Sequence, residues 1–172
     1  MNIRKTTIED IPRLQEIFAF ARRFMAETGN PNQWSMDPSL TPDGKLYPSV
    51  ELLQADVESG DSYVCVTDDG RVVATFVLRG GNDPTYDVIV DGAWPNDHPY
   101  ATIHRIASSG EVKGVFSTMM NFALQHYSTL RIDTHRDNRV MQNAALKAGF
   151  VYCGIIYCWS GAERLAYQFD KK

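Results

Sequence analysis

Residues 100–120, YATIHRIASSGEVKGVFSTMM, decide the fold of this chain. Residues 101–107 predict a buried strand, a polar turn containing Gly110 and Gly114 follows, and a helix begins near Val115. A glycine turn that opens a helix leaves backbone N–H groups without partners at the positive end of the helix dipole, and such a place suits a phosphate. An ordinary strand–turn–helix connection is the alternative for this stretch taken alone.

The composition predicts one globular domain, residues 1–172, with 44% hydrophobic and 22% charged residues. The formal net charge of −4 argues against broad binding to nucleic acid. No run of 18 apolar residues predicts a membrane span, and the first ten residues lack the apolar core of a signal peptide. Three cysteines without a CxxC spacing indicate reduced thiols in a cytoplasmic protein, and the four histidines show no clustering that would bind a metal.

The hydrophobic pattern on either side of residues 100–120 alternates between strands and helices. We predict helices that begin after Thr7, after Ser49, near Val115 and after Asn138, and strands at 2–5, 62–67, 71–79, 101–107, 130–134, 150–157 and 164–169. This order predicts an α/β fold, with parallel pairing in each of the two strand–helix–strand units and an antiparallel hairpin at each end of the sheet.

Two long irregular segments, 30–48 and 80–99, are candidates for the wall of an acceptor pocket, because loops on a rigid scaffold commonly carry binding groups. Surface loops whose aromatic residues cover the domain edge are the alternative. Their carboxylates could attract a cation, although most loop aspartates are only solvated; they are Asp37, Asp43, Asp83, Asp87, Asp91 and Asp97.

Two motifs carry a family resemblance. The turn 111–116, EVKGVF, matches the pattern Q/R-x-x-G-x-G/A at its central Gly114 and in the basic residue before it, but has Glu111 and Phe116 at the outer positions. Residues 138–150, NRVMQNAALKAGF, keep the Asn, the Lys and the final Gly-Phe of N-x-x-(A)-x-x-L-Y-x-K-x-G-F. With these motifs in this element order, the chain resembles the GNAT superfamily of acetyl-CoA-dependent N-acetyltransferases over nearly its whole length.

The resemblance implies a single GNAT-like domain with a mixed, mostly antiparallel sheet of about seven strands flanked by about four helices. It implies that acetyl-CoA is the co-substrate and that the fourth strand parts from the fifth after about Ile106, so that Ile106 and Ser108 pair with pantetheine. Asn138 would contact pantetheine, cap its helix, or do both. The amides that would hold the pyrophosphate belong to Val112, Lys113, Gly114, Val115, Phe116 and Ser117.

Both departures from the turn pattern bear on that site. A carboxylate at Glu111 disfavours a nearby pyrophosphate unless it points into solvent, and Phe116 requires the helix to start in a slightly different position. Lys113 could add positive charge to the phosphates or could be a solvated surface lysine.

The catalytic acid and base are less well defined by the sequence. Many family members use a tyrosine as the acid on the helix after the fifth strand, but that position is Ala145 here. Tyr157 or Tyr152 could replace it, although each is more often a core or rim aromatic residue.

The fourth strand offers a base. Strand alternation would place Tyr100, Thr102 and His104 on one face, and Ile103 and Arg105 on the other. His104 has the ordinary pKa best suited to taking a proton near neutral pH, and a hydrogen-bonded structural histidine is the alternative.

The resulting hypothesis is an enzyme that transfers acetyl from acetyl-CoA to a primary amine by direct attack in a ternary complex. The acceptor is a small molecule or a protein N-terminus, with no nucleic-acid or membrane partner, and a homodimer is left open. A catalytically weak acyl-CoA-binding or regulatory domain is the alternative from another class of protein.

Overall fold

The computed structural model describes residues 1–41 and 43–172. The helices are α1 (Ile11–Glu27), α2 (Val50–Glu58), α3 (Val115–His126) and α4 (Arg139–Lys147). The strands are β1 (Asn2–Lys5), β2 (Ser62–Val66), β3 (Val72–Gly80), β4 (Ala101–Ser108), β5 (Thr129–Thr134), β6 (Val151–Tyr157) and β7 (Glu163–Asp170).

Local chemistry explains several of these boundaries. The Ser49 hydroxyl accepts a hydrogen bond from the Leu52 amide at the start of α2. The Asn138 side chain accepts one from the Met141 amide at the start of α4. Both residues therefore act as N-caps, as the sequence predicts. No helix among the described residues is long and apolar enough to span a membrane.

All seven strands form one sheet in the order β1-β2-β3-β4-β5-β7-β6. Every neighbouring pair is antiparallel except β4–β5, which is parallel. The predicted α/β class, the mostly antiparallel sheet and the number of strands and helices are confirmed.

The predicted parallel pairing is correct for β4-α3-β5 and wrong for β5-α4-β6. β7 returns between β5 and β6 and pairs antiparallel with both of them. The Ser160-Gly161 turn delivers β7 into the gap next to β5, and a parallel β5–β6 ladder therefore does not form. A hairpin pattern in the sequence identifies strand partners but does not state on which side the second strand inserts.

Helices cover both faces of the sheet. One core cluster contains Met119 and Ala123 of α3 and Ala145 of α4, packed on the strands. The opposite cluster contains Ile17 of α1 and Leu53 of α2. These two layers define an α3/α4 face and an α1/α2 face.

The centre of the sheet opens between β4 and β5. Their ladder consists of two pairs, Ala101 with Leu130 and Thr102 with Arg131. The prediction that the strands part after about Ile106 is therefore wrong by four residues. The strands separate earlier because β4 contains a bulge that bends it away from β5.

The bulge also changes which side chains share a face. On β3 the partners Val77 and Thr75 are two residues apart, whereas their partners on β4, His104 and Ala107, are three apart. Arg105 occupies the extra position with φ of +51°. The predicted shared face of Ile103 and Arg105 is wrong: Ile103 packs in the α3/α4 core, whereas Arg105 reaches α2.

Candidate active site

The turn after β4 ends at Gly114, which has φ of +78° and directly precedes α3. A Cβ at this position would meet no atom within 4 Å, so the glycine is required by its backbone conformation and leaves open space above it. The Thr118 amide bonds to the Gly114 carbonyl, at 3.1 Å. Within the described residues the amides of Val115, Phe116 and Ser117 have no acceptor. These free donors, on an exposed helix start, fit an anionic group such as a pyrophosphate.

The neighbouring residues of the turn differ in exposure. Lys113 and Ser117 are exposed, while Val112, Val115 and Phe116 are half-buried and pack against the core beneath α3. Phe116 therefore contributes its ring to the core, and α3 begins at Val115 despite a large side chain at the family's Gly/Ala position.

Glu111 does not point freely into solvent. Its carboxylate accepts hydrogen bonds from Arg13 at 2.5 Å and from Arg71 at 2.6 Å. Hydrogen bonds from Ser109 and Arg13 lower the pKa of this carboxyl. The negative charge that disfavours a pyrophosphate is thus balanced by two guanidinium groups, Arg13 on α1 and Arg71 just before β3.

The predicted pantetheine-binding residues lie along the open part of β4. Ile106 is half-buried against the α3/α4 core, and the Ser108 hydroxyl accepts a hydrogen bond from the Gly110 amide at 3.1 Å. A Cβ at Gly110 would lie 2.6 Å from the Phe20 ring, so only glycine fits beneath this turn. Beyond Thr102, the ladder gives β4 no partner strand on its β5 side. The unpaired backbone there is suited to an extended molecule with amide groups.

Both the oxygen and the nitrogen of the Asn138 side-chain amide make hydrogen bonds. Its oxygen caps α4, and its nitrogen donates to Gln33 Oε1 at 2.9 Å. Gln33 Oε1 also accepts from Asn30, at 2.9 Å. Asn138 therefore ties the start of α4 to the loop after α1, and a contact with pantetheine stays a prediction.

His104 lies on β4, next to the bulge, with 21% of its side chain exposed. Its Nε2 is 2.8 Å from Asp83 Oδ2. Burial raises the pKa of Asp83, but hydrogen bonds from His104 and from the side chain and amide of Thr85 outweigh this and lower the pKa to about 2. Asp83 is thus ionised at neutral pH and orients the imidazole.

A second carboxylate lies on the other side of the imidazole. His104 Nδ1 is 3.9 Å from Asp133 Oδ2 on β5. The same oxygen accepts a hydrogen bond from the buried hydroxyl of Tyr86, at 2.8 Å. Burial, followed by the Asp133 charge, raises the pKa of that phenol well above its ordinary value. Asp83, Tyr86 and Asp133 complete a polar cluster around His104.

The candidate acids are placed differently. Ala145 is fully buried in the core, so α4 presents no acid at the family's tyrosine position. Tyr157 lies at the end of the outer strand β6 and is 43% exposed, and β7 separates that strand from β5. Tyr152 packs edge-on against Tyr167. Neither tyrosine has a hydrogen bond to His104 among the described residues, and the role of Tyr157 stays a prediction.

A small cavity of about 70 Å³ lies beside Asp83. The buried hydroxyl of Thr102, which has no partner among the described residues, belongs to its wall. Trp159, at the turn between β6 and β7, is 82% exposed and lies on its rim. The remaining wall is formed by Arg79, Gly81, Asn82 and Pro84. The β6–β7 turn and the 80–99 segment thus meet at the centre of the sheet.

Sequence reasoning named His104 but did not connect it to its partners. Asp83 was one of six undifferentiated loop aspartates, and Asp133 and Tyr86 were not singled out. A usable signal was the Asp83-Pro84 pair, since aspartate before proline commonly starts a turn, as it does here at a 3₁₀ turn (Pro84–Tyr86).

Comparison with known proteins gives the chain a family. No protein-family model and no curated protein sequence matches it. A GNAT-family acetyltransferase structure from Streptococcus agalactiae 2603 is 30% identical, covering 99% of this chain and 95% of that one, with a TM-score of 0.83.

Two more distant structures share the fold. A ribosomal-protein-alanine N-acetyltransferase from Brucella melitensis matches at 15% identity and a TM-score of 0.58, covering 99% of each chain. The NatB acetyltransferase complex bound to CoA and MES matches at 9% identity and a TM-score of 0.63, covering 100% of each chain. On the strength of the Streptococcus relative, over almost its full length, this chain belongs to the GNAT family of acetyltransferases.

Proposed function

We propose that the protein is an N-acetyltransferase that transfers acetyl from acetyl-CoA to a primary amine by direct attack in a ternary complex. The observation that carries the proposal is the parting of β4 from β5 after Thr102, which leaves β4 unpaired as it runs to the Gly114 turn. An extended thioester with a pyrophosphate at its far end matches this arrangement. Its amide-bearing chain would lie along β4, and its phosphates would lie at the start of α3.

In this proposal the pyrophosphate accepts hydrogen bonds from the amides of residues 112–117, and Ile106 and Ser108 pair with pantetheine. The exposed Lys113 is placed to add positive charge. The positive end of the α3 dipole favours the phosphates further. Arg13 and Arg71 offset the charge of Glu111, so the turn tolerates its departure from the family pattern.

The chemistry requires loss of a proton from the amine and attack on the thioester carbonyl. His104 is the proposed base because it lies where the strands part and because the lone pair of a neutral imidazole can accept a proton. Unpaired backbone N–H groups of β4 are suited to stabilising the negative charge that develops on the carbonyl oxygen. Tyr157 remains the candidate acid for the departing thiolate.

The acceptor is a small-molecule amine or a protein N-terminus. The neighbours named for ribosomal-protein and NatB acetylation are too distant in sequence to choose between them. A cytoplasmic location, where acetyl-CoA and reduced thiols occur, agrees with the three free cysteines.

A Gly114→Val variant tests the cofactor site. Valine is strained at φ of +78° and would shift the start of α3, so we expect at least a tenfold loss of CoA affinity by titration calorimetry. Gly60→Val is the matched control, because Gly60 has φ of +75° and equally open surroundings but lies after α2. Wild-type affinity in a folded Gly114→Val protein would contradict the proposed pyrophosphate site.

The alternative, a CoA-binding or regulatory domain without turnover, is favoured by one observation. Ala145 replaces the family's acid, and the substitute Tyr157 is on the outer strand. Release of free thiol from acetyl-CoA with a panel of amines separates the two functions. Tight CoA binding without thiol release on any amine would support the alternative.

A further inference from the structure

His104 and Asp133 face each other across the opening between β4 and β5. The last paired residues are Thr102 and Arg131, and His104 and Asp133 lie two positions further along each strand. Because alternate residues of a strand share a face, both side chains project from the α1/α2 face. His104 Nδ1 and Asp133 Oδ2 are 3.9 Å apart, which is too far for a hydrogen bond between them. A nitrogen bearing several protons, set beside this gap, can donate to both groups.

The other imidazole nitrogen is already occupied. His104 Nε2 is 2.8 Å from Asp83 Oδ2, and Asp83 is itself held by the amide and the hydroxyl of Thr85, at 3.0 and 2.7 Å. An ionised carboxylate only accepts hydrogen bonds, so the neutral imidazole must carry its proton on Nε2. This leaves the lone pair on Nδ1, the nitrogen that faces the opening.

Neighbouring side chains hold the Asp133 carboxylate in place. The buried Tyr86 hydroxyl donates to Oδ2 at 2.8 Å, and Arg164 Nε lies 4.0 Å from Oδ1. The Asp133 side chain is 16% exposed. Its orientation is therefore set by the fold, and it retains acceptor capacity toward the opening.

We propose that Asp83 fixes His104 in the Nε2–H tautomer, and that the acceptor enters as a primary ammonium group held by Asp133 and deprotonated by His104 Nδ1. This inference rests on the function proposed above and specifies its acceptor as a cationic amine. An N–H bond of the ammonium breaks as the Nδ1–H bond forms. The amine then forms the C–N bond to the thioester carbonyl, and the C–S bond breaks with its electron pair on sulfur. The surplus proton of the new amide nitrogen reaches the thiolate, directly or by way of the candidate acid Tyr157, and the imidazolium releases its proton to solvent.

Several charged and titratable groups surround the imidazole. From the elements packed on this face these groups are Asp83, Tyr86 and Tyr100 before β4, Arg105 on β4, Arg131 and Asp133 on β5, and Arg164 on β7.

The tautomer is tested by nitrogen-15 NMR of the histidine side chains, with an Asp83→Asn variant. We expect Nε2–H in the wild type and a shift toward Nδ1–H in the variant, because the asparagine amide can donate to Nε2. Asparagine is also a good cap, so the 3₁₀ turn that Asp83 begins should persist. Asp87→Asn, on the same loop and bonded to Asn82, is the matched control and should leave the His104 signals unchanged. An Nδ1–H signal in the wild type, or an unchanged tautomer in Asp83→Asn, would overturn the proposal.

Steady-state kinetics test the two aspartates separately. Asp83→Asn should lower kcat by roughly 10- to 1,000-fold. Asp133→Asn should keep the tautomer and the CoA affinity while raising KM for the amine at least tenfold; an unchanged KM would refute its role. A wild-type protein that acetylates no amine would refute the proposed function and the role of Asp133, whereas the tautomer result would stand independently.

Discussion

Replacing Asp56 with leucine should destabilise the protein more than any other single charge removal near the site. Asp56 lies on α2 with 3% of its side chain exposed, and its Oδ1 is 2.6 Å from Arg105 Nη2. Arg105 is 11% exposed and holds the extra position of the β4 bulge. Without Asp56, this guanidinium would keep one side-chain partner, the Tyr47 hydroxyl at 3.2 Å.

The magnitude follows from the burial of both partners. Removing one member of a buried ion pair costs about 3–5 kcal/mol, because the other charge remains buried without compensation. Because Arg105 keeps its contact with Tyr47, we expect Asp56→Leu to lower the free energy of unfolding by about 3 kcal/mol, near the lower end of this range. In a protein of this size each kcal/mol shifts Tm by about 2–4 °C, so Tm should fall by roughly 6–12 °C.

The partner substitution should cost less. In Arg105→Leu, Asp56 keeps a cation nearby, because Arg79 Nη2 lies 3.6 Å from its Oδ1. The double variant Asp56→Leu/Arg105→Leu should recover most of the loss, since well-packed apolar residues often replace a buried pair without penalty.

Thermal unfolding followed by circular dichroism measures all three variants. Asp61→Asn is the control, because its pair with Arg79 is largely exposed, and exposed pairs contribute about 0–1 kcal/mol. A fall of less than about 2 °C for Asp56→Leu, or a larger fall for Arg105→Leu, would refute this reasoning.

Three shorter predictions concern the site. Glu111→Gln should tighten CoA binding about two- to fivefold at low salt, measured by calorimetry, because a negative charge near the phosphates is lost while Arg13 and Arg71 keep only Glu16 and Asp69 as partners. Unchanged or weaker binding would exclude these arginines from the phosphate environment. Asn138→Ala should lower stability by about 1 kcal/mol in urea titration through loss of the α4 cap, while Asn138→Asp should keep most of it. The pKa of Asp83 is lowered from 3.8 to about 2, so its ionised form stabilises the fold by about 2 kcal/mol at a pH above 3.8. This contribution is lost as the pH falls from 4 toward 2. Acid titration of the stability of Asp83→Asn should lack that component.

The strand, turn and helix that would carry the proposed cofactor site were predictable from the sequence because they are local elements. A strand, a glycine turn and a helix start follow each other within residues 101–117, and propensity and helix-end chemistry suffice to place them. The cap function of Asn138 was equally accessible, because it depends on contacts three residues away. The exception is Glu111, whose two arginine partners lie on α1 and just before β3.

The point at which β4 and β5 part was predicted in the wrong place because it depends on the strand register. A bulge at Arg105 adds a residue to β4 without leaving a glycine or proline signal in the sequence. Alternation arguments then fail for every residue beyond the bulge, and this is why Ile103 and Arg105 were assigned to the same face. The insertion of β7 beside β5 is likewise a matter of long-range pairing.

The catalytic side of the site lay beyond the sequence for a related reason. Asp83, His104 and Asp133 come from a loop and two strands, and the first two are 21 positions apart along the chain. Only the short β4–β5 ladder brings His104 and Asp133 to the same level, and only the antiparallel β3–β4 pairing returns Asp83 to His104. One slip of register in either pairing would point His104 to the opposite face, toward α3 and α4, and leave both carboxylates without it. The proposed acid–base function therefore depends on the sheet's register more directly than on the identity of any residue that a motif could contain.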